Sequence, residues 1–209
     1  MLKAEQVTTA TAFDKVQERT TYQLTDVLPA GSKAEVKIVF EGELTGNMLG
    51  YYKSSWEHEG EKKYYALTQF EVRGWIITNF LPIHDFIFIK PTAARRAFPC
   101  WDEPLLKATF AVTLISRADT VNLSNMPAIS EDIIEAGVNT PADLSEILAD
   151  TQNEKWKISK FQTTPPMSSY IVAFANGHFE FLERSVVMPL SGKTVPLRIY
   201  SEVPLYAKS

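Results

Sequence analysis

One stretch limits what this chain can fold into more than any other. Residues 91–104 read Pro91-Thr-Ala-Ala-Arg-Arg-Ala-Phe-Pro-Cys-Trp-Asp-Glu-Pro104 and hold the only cysteine of the sequence. Pro99 and Pro104 fix φ and withhold backbone donors, so the stretch cannot lie inside a helix or a central strand. It has to be a shaped connection. Arg95 and Arg96 can fork onto the carboxylates of Asp102 and Glu103 while Phe98 and Trp101 bury beneath, giving a rigid, internally neutralised corner. From these residues alone it is a structural corner with no chemistry of its own.

The 209 residues suffice for a large β domain with a real core, and the apolar fraction of 45% is ordinary for a globular protein. The net charge of −4 and the lack of any long basic run argue against nucleic acid or an anionic membrane as partner. One cysteine, Cys100, excludes an internal disulfide framework and fits a reducing compartment; a reactive role would need a nearby base. The N-terminal Met-Leu-Lys-Ala-Glu-Gln has no apolar signal region, so cytoplasmic residence is expected. Asn122-Leu-Ser matches a glycosylation sequon that such a location leaves unused.

Periodicity along the chain predicts short strands joined by turns. Residues 1–19 offer a strand and a turn at most. Tyr22, Leu24 and Val27 read as one strand and Val36, Ile38 and Phe40 as its antiparallel partner, with a Pro29-Ala-Gly-Ser turn between them. Further strands are expected up to Trp56, over 64–71, 108–115, 121–124, 155–161, 169–175, 178–182 and 194–200. Thr140-Pro-Ala-Asp has the form of a helix start, with Leu144, Ile147 and Leu148 at helical spacing behind it. The expected fold is therefore all-β: a large antiparallel β-sandwich or saddle with one short surface helix near 140–150, carried in a polar insertion at 127–153. Residues 72–90 break the pattern, being nearly all apolar with no alternation. Pro82 and Asp85 interrupt them too early for a membrane helix, and a buried strand pair is the ordinary explanation.

Catalytic signatures are missing. His58, His84 and His178 are scattered, with no second ligand at metal spacing, so the expectation is no metal site and no catalytic residue in this chain. There is no Gly-rich phosphate loop and no Gly-x-Ser-x-Gly elbow. Gln69 and Glu71 alternate at a predicted strand end just before the corner, which sends both side chains to one face. They read either as an exposed, solvated pair or as an amide and a carboxylate able to grip an ammonium group.

Several blocks carry a family likeness: Gln69-Phe70-Glu71, the whole of 91–104, Lys107-Ala-Thr-Phe110 and Thr164-Pro-Pro-Met-Ser-Ser-Tyr170. In the same order, Gly42-Glu-Leu44, Gly50-Tyr-Tyr-Lys-Ser54, Ser124-Asn-Met-Pro127 and Val195-Pro-Leu-Arg-Ile-Tyr200 add weaker matches. Over roughly 20–203 the chain resembles the N-terminal domain of zinc aminopeptidases of the aminopeptidase N type. The resemblance implies a single β domain across 1–209 that caps a thermolysin-like catalytic domain of the same polypeptide. That catalytic domain carries Gly-Ala-Met-Glu-Asn and His-Glu-x-x-His, absent from this sequence. The implied zinc belongs to the parent enzyme and none to this chain, which alone should be inactive. By resemblance, Gln69 and Glu71 line the pocket for the first residue of a peptide substrate, and the acid helps bind its α-amine.

The sequence departs from the family pattern twice. Strands that normally precede the equivalent of Thr20 are missing, so the domain is expected to be incomplete at its N-terminus. Glu71 normally runs straight into Pro-Thr-Ala-Ala-Arg-Arg, and removing 72–90 restores that junction. The segment is thus expected to be an anomalous insertion. Valine codons begin with GT and a lysine codon can end in AG, so a translated, retained intron would account for it. Two other readings stand beside the aminopeptidase: a non-catalytic β-sandwich scaffold or interaction module, and an epoxide-hydrolysing relative sharing the cap.

Overall fold

A computed structural model describes residues 10–24, 27–58, 60–75, 87–90, 92–135, 148 and 155–202. Two compact units are distinguished, Met1–Glu41 and Gly42–Ser209. Every strand pairing is antiparallel, and regular helix among the described residues is limited to two single 3-10 turns, so the fold is all-β. The helix expected near 140–150 lies outside the described residues, apart from Leu148.

In the first unit, β1 (Ala10–Asp14) pairs with β2 (Arg19–Tyr22) around a turn whose amides at Val16 and Gln17 donate to the Asp14 carboxylate. Those two bonds are the main cause of its depressed pKa. The strand expected through Val36, Ile38 and Phe40 is not formed; Val36 and Phe40 are exposed, and β2 takes β1 as partner instead. Alternation marks the face a strand would bury, but a strand also needs a neighbouring backbone to satisfy its amides.

In the second unit the central sheet runs β3 (Gly50–His58), β4 (Glu61–Gln69), β11 (Phe174–Gly177), β8 (Val121–Ser124). β3 and β4, nine residues each, form a hairpin, and between them Gly60 sits at φ 81°, a left-handed conformation that favours glycine. A second sheet is ordered β7 (Thr113–Arg117), β10 (Lys155–Phe161), β9 (Ala128–Glu135). β9 occupies the start of the stretch 127–153, where the sequence suggested only a polar insertion. Its Ala-Ile-Ser-Glu-Asp-Ile-Ile-Glu run lacks clean alternation, and pairing with β10 decides its conformation. Two further hairpins are β5 (Val72–Trp75) with β6 (Ile87–Lys90), and β12 (Glu180–Val187) with β13 (Thr194–Ser201).

A buried polar layer joins the two larger sheets. Asn122 Nδ2 on β8 donates to Ser159 Oγ on β10 at 3.0 Å, and Ser159 Oγ donates to Glu131 Oε1 on β9 at 2.8 Å. Asn176 on β11 donates to Asn122 Oδ1 at 2.7 Å. Each buried group has a partner, which removes most of the cost of placing polar atoms there. The same bonds close the sequon, since the Asn122 amide is buried and engaged. The apolar core lies elsewhere, around Phe70, Ala93, Ala94 and Val172, with Phe98, Phe110 and Phe174 packed against it. Phe70 meets Phe98 and Phe174 edge-on at 6.0 and 6.3 Å, contacts worth about 0.5–1.5 kcal/mol each beyond burial.

Candidate substrate-facing strand end and its supporting corner

Strand β4 ends at Gln69, and this residue and the two that follow it alternate in exposure. Gln69 is exposed, Phe70 is buried at 3%, and Glu71 is half-buried. Phe70 thus anchors a short outward-facing segment to the apolar core. The Gln69 side chain is not free to swing: Nε2 donates to the Glu71 backbone oxygen at 2.7 Å. One amide hydrogen is spent on this bond, while Oε1 remains an acceptor by its chemistry. With the Glu71 carboxylate beside it in sequence, the segment offers acceptors in keeping with a cationic donor such as a primary ammonium.

The corner at 92–104 supports this strand end from the core side. Ala93 and Ala94 are buried, and Ala94 opens a 3-10 turn, Ala94–Arg96, closed by amides of Ala97 and Phe98 donating to the Ala94 carbonyl. Small side chains are needed because the turn presses into the aromatic cluster. Asp102, 4% exposed, is the hub. Its Oδ2 accepts from the Arg95 amide at 3.2 Å and from Arg95 Nε at 3.0 Å, and its Oδ1 accepts from Ser169 Oγ at 2.7 Å. Arg95 Nη2 also donates to the Asp102 carbonyl at 3.0 Å. A buried carboxylate needs this full set of partners to remain charged without a large penalty. Ser169 belongs to the second 3-10 turn, Ser169–Ile171, and Ser168 Oγ donates to the Pro104 carbonyl at 2.7 Å. The corner is thereby tied at both its beginning and its end.

The ion pair expected between Arg95 and Asp102 is present, and Phe98 packs on the core as expected. Trp101 departs from expectation. It is 75% exposed, because Pro99 and the bonded Asp102 turn the chain so that residue 102, rather than 101, points inward. Burial pushes the Cys100 thiol up to about 12, with the Asp102 charge adding to the effect and Arg95 opposing it. A thiol held protonated in this way is a poor nucleophile.

The corner reaches the strand end through Gly50. Gly50 stands at φ 76°, and a Cβ there would lie 2.8 Å from Arg96 Cβ. Only glycine lets the 3-10 turn approach so closely. Gly50 is the register partner of Gln69, so the turn rests against the residue that pairs with the candidate site. The sequence assigned roles to Gln69, Glu71 and the corner, whereas Gly50 and Ser169 entered only as members of the matched blocks Gly50–Ser54 and Thr164–Tyr170. The only signal in the sequence was a glycine opening a strand-like run and a serine within Thr164-Pro-Pro-Met-Ser-Ser.

The other sequence candidates do not join this group. His178 lines a separate cavity of about 290 Å³ with Trp56, Lys63, Asp119 and Glu202. A second cavity, of about 410 Å³, is lined by Leu44, Lys53, Tyr64, Tyr65, Ala66 and Asn176. Neither includes Gln69 or Glu71. His84 lies outside the described residues, as do all of residues 76–86 between β5 and β6. Among the described residues no three His, Cys, Asp or Glu side chains converge in a way that could hold a metal ion. None of the described helices is long and apolar enough to cross a membrane.

The sequence matches the profile of the Peptidase M1 N-terminal domain over residues 2–76 and 88–171. The chain belongs to that family. Among curated M1 relatives, it is 35% identical over 178 residues to aminopeptidase M1 of Arabidopsis thaliana, covering 85% of this chain and 15% of that protein. Aminopeptidase 2 of Candida albicans is 33% identical over 190 residues, with 91% of this chain and 16% of the relative covered. Aminopeptidase N of Bos taurus is 33% identical over 156 residues, covering 75% and 13% respectively. The chain therefore spans about one sixth or less of the length of these M1 relatives. The M1 resemblance read from the sequence is borne out, and so is the all-β class.

Proposed function

We propose that this M1 N-terminal domain forms part of the substrate pocket of a longer zinc-dependent aminopeptidase, with Glu71 and Gln69 holding the free α-ammonium of a peptide. The observation that carries the reading is the Gln69-Phe70-Glu71 strand end. It has a buried central anchor, a tethered amide and a firm support behind it, in a chain whose relatives are aminopeptidases. An exopeptidase must recognise a terminal ammonium, and a carboxylate in a partly desolvated cleft does so by a charge-assisted hydrogen bond. Such a bond supplies about 1.5–3 kcal/mol of binding and no bond cleavage.

In this proposal the zinc is held by residues outside this chain, whose described side chains do not fit the ion. The metal would supply activated water in the parent enzyme. The chain itself contributes recognition and orientation, so on its own it is catalytically silent. Residues 1–209 belong to one N-terminal β domain that caps the catalytic part of the same polypeptide in the cytoplasm. Residues 72–90 are an insertion next to Glu71; the break in the family match at 77–87, inside that segment, supports an interruption here, while the match itself still covers 72–76 and 88–90. A direct check is hydrolysis of aminoacyl p-nitroanilides. The isolated chain should release no product, and the polypeptide that continues into a His-Glu-x-x-His segment should. Turnover by the isolated chain would overturn the division of labour.

A further inference from the structure

We propose that Asp102 is a positioning residue for the Gln69–Glu71 pair, acting through Arg95, Arg96 and Gly50; the proposal rests on the reading of that pair as the substrate-facing site. The chain of contacts is continuous. Asp102 Oδ2 holds both the backbone amide and Nε of Arg95, which fixes the 3-10 turn Ala94–Arg96 in place. The next residue, Arg96, lies so close to Gly50 that any side chain at 50 would collide with its Cβ. Gly50 is paired in register with Gln69, whose amide clasps the Glu71 carbonyl. A second route runs through the core: the same turn places Ala93, Ala94 and Phe98 around Phe70, the anchor between Gln69 and Glu71.

Asp102 suits this role because its own position is set from the opposite side. Ser169 Oγ, 67 residues away in sequence, donates to Oδ1 at 2.7 Å. The carboxylate thus joins the corner, through Arg95, to the turn Ser169–Ile171. Loosening it should allow the 3-10 turn to retreat from Gly50, so that the Gln69 amide loses its fixed geometry while the distant sheets stay intact.

The test is nuclear magnetic resonance of the full 209-residue chain, comparing the unaltered protein with Asp102→Asn and Ser169→Ala. Asp102→Asn keeps the shape and removes the charge; Ser169→Ala deletes one bond and leaves the Arg95–Asp102 pair. In Asp102→Asn the Gln69 side-chain amide resonances should move toward those of a free glutamine and the Gly50 amide should shift, with β12 and β13 amides unmoved. Ser169→Ala should give smaller shifts in the same direction. If both variants lower the melting temperature but leave Gln69 and Gly50 unmoved, Asp102 serves stability alone and the proposal fails. Should Asp102→Asn not fold, Ser169→Ala decides in the same way. No ligand enters the measurement, so loss of the positioning effect and failure of Glu71 to recognise an amine are separate results.

Discussion

Val72 and Lys90 are register partners at the foot of the β5–β6 hairpin, so the chain leaves the fold after Glu71 and returns to it at an adjacent point. Antiparallel partners have Cα atoms about 4.5–5.5 Å apart, not far from the ~3.8 Å of one peptide step. The core contacts of Phe70 and of Ala93 and Ala94 flank this foot on both sides in sequence. Joining residue 71 directly to residue 91 is therefore expected to preserve the core. Stability in urea should hold within about 1 kcal/mol or rise, because a long loop is removed. A loss of cooperative unfolding in the deletion variant would show that the hairpin is an integral part of the fold.

Gly50→Ala should be destabilising. A non-glycine residue at this left-handed φ costs about 1–2 kcal/mol, and the new Cβ would also meet Arg96 at 2.8 Å. Chemical denaturation should show a total loss of about 2–4 kcal/mol. Gly192, also left-handed but with nothing within 4 Å, supplies the control: its alanine variant should show the backbone part alone.

Cys100 gives a pH signature. Its folded pKa is raised from 9.0 to about 12, so above pH 9 the unfolded chain gives up this proton while the folded chain keeps it. The resulting contribution to stability is fully present below pH 9 and is lost as pH rises from 9 toward 12. Urea midpoints measured across that range should fall less steeply for Cys100→Ala than for the unaltered chain. The folded thiol should also resist iodoacetamide at pH 8.5, whereas the urea-unfolded chain should be alkylated readily. Equal reactivity in both states would contradict the burial argument.

How much of this was legible in the sequence varies with the range of the interactions involved. Strands β8 and β10 lie where local patterning puts them, at Val121–Ser124 and Lys155–Phe161, because one face of each buries against a neighbour. The Arg95–Asp102 pair was legible because both partners lie in one stretch with proline at its bends. The failures come where a distant partner decides. Val36, Ile38 and Phe40 alternate but form no strand, and β9 does not alternate but forms one, since each outcome depends on a neighbouring backbone. Trp101 has the composition of a core residue, yet the bonds of Asp102 decide which way the corner faces. At the candidate site, the sequence singled out Gln69 and Glu71, but the tether between them and the support through Gly50 are matters of register. No spacing rule reveals that residue 50 sits opposite residue 69.

The central claim is that Glu71 recognises the α-ammonium of a peptide, and steady-state kinetics of Glu71→Gln in the proposed longer enzyme test it most directly. A charge-assisted bond worth about 1.5–3 kcal/mol corresponds to a fall in kcat/KM of about 10- to 150-fold. If the bond is made equally in the ground and transition states, the fall should appear mainly as a higher KM for peptides with a free N-terminus. An unchanged kcat/KM in a correctly folded Glu71→Gln enzyme would contradict the account.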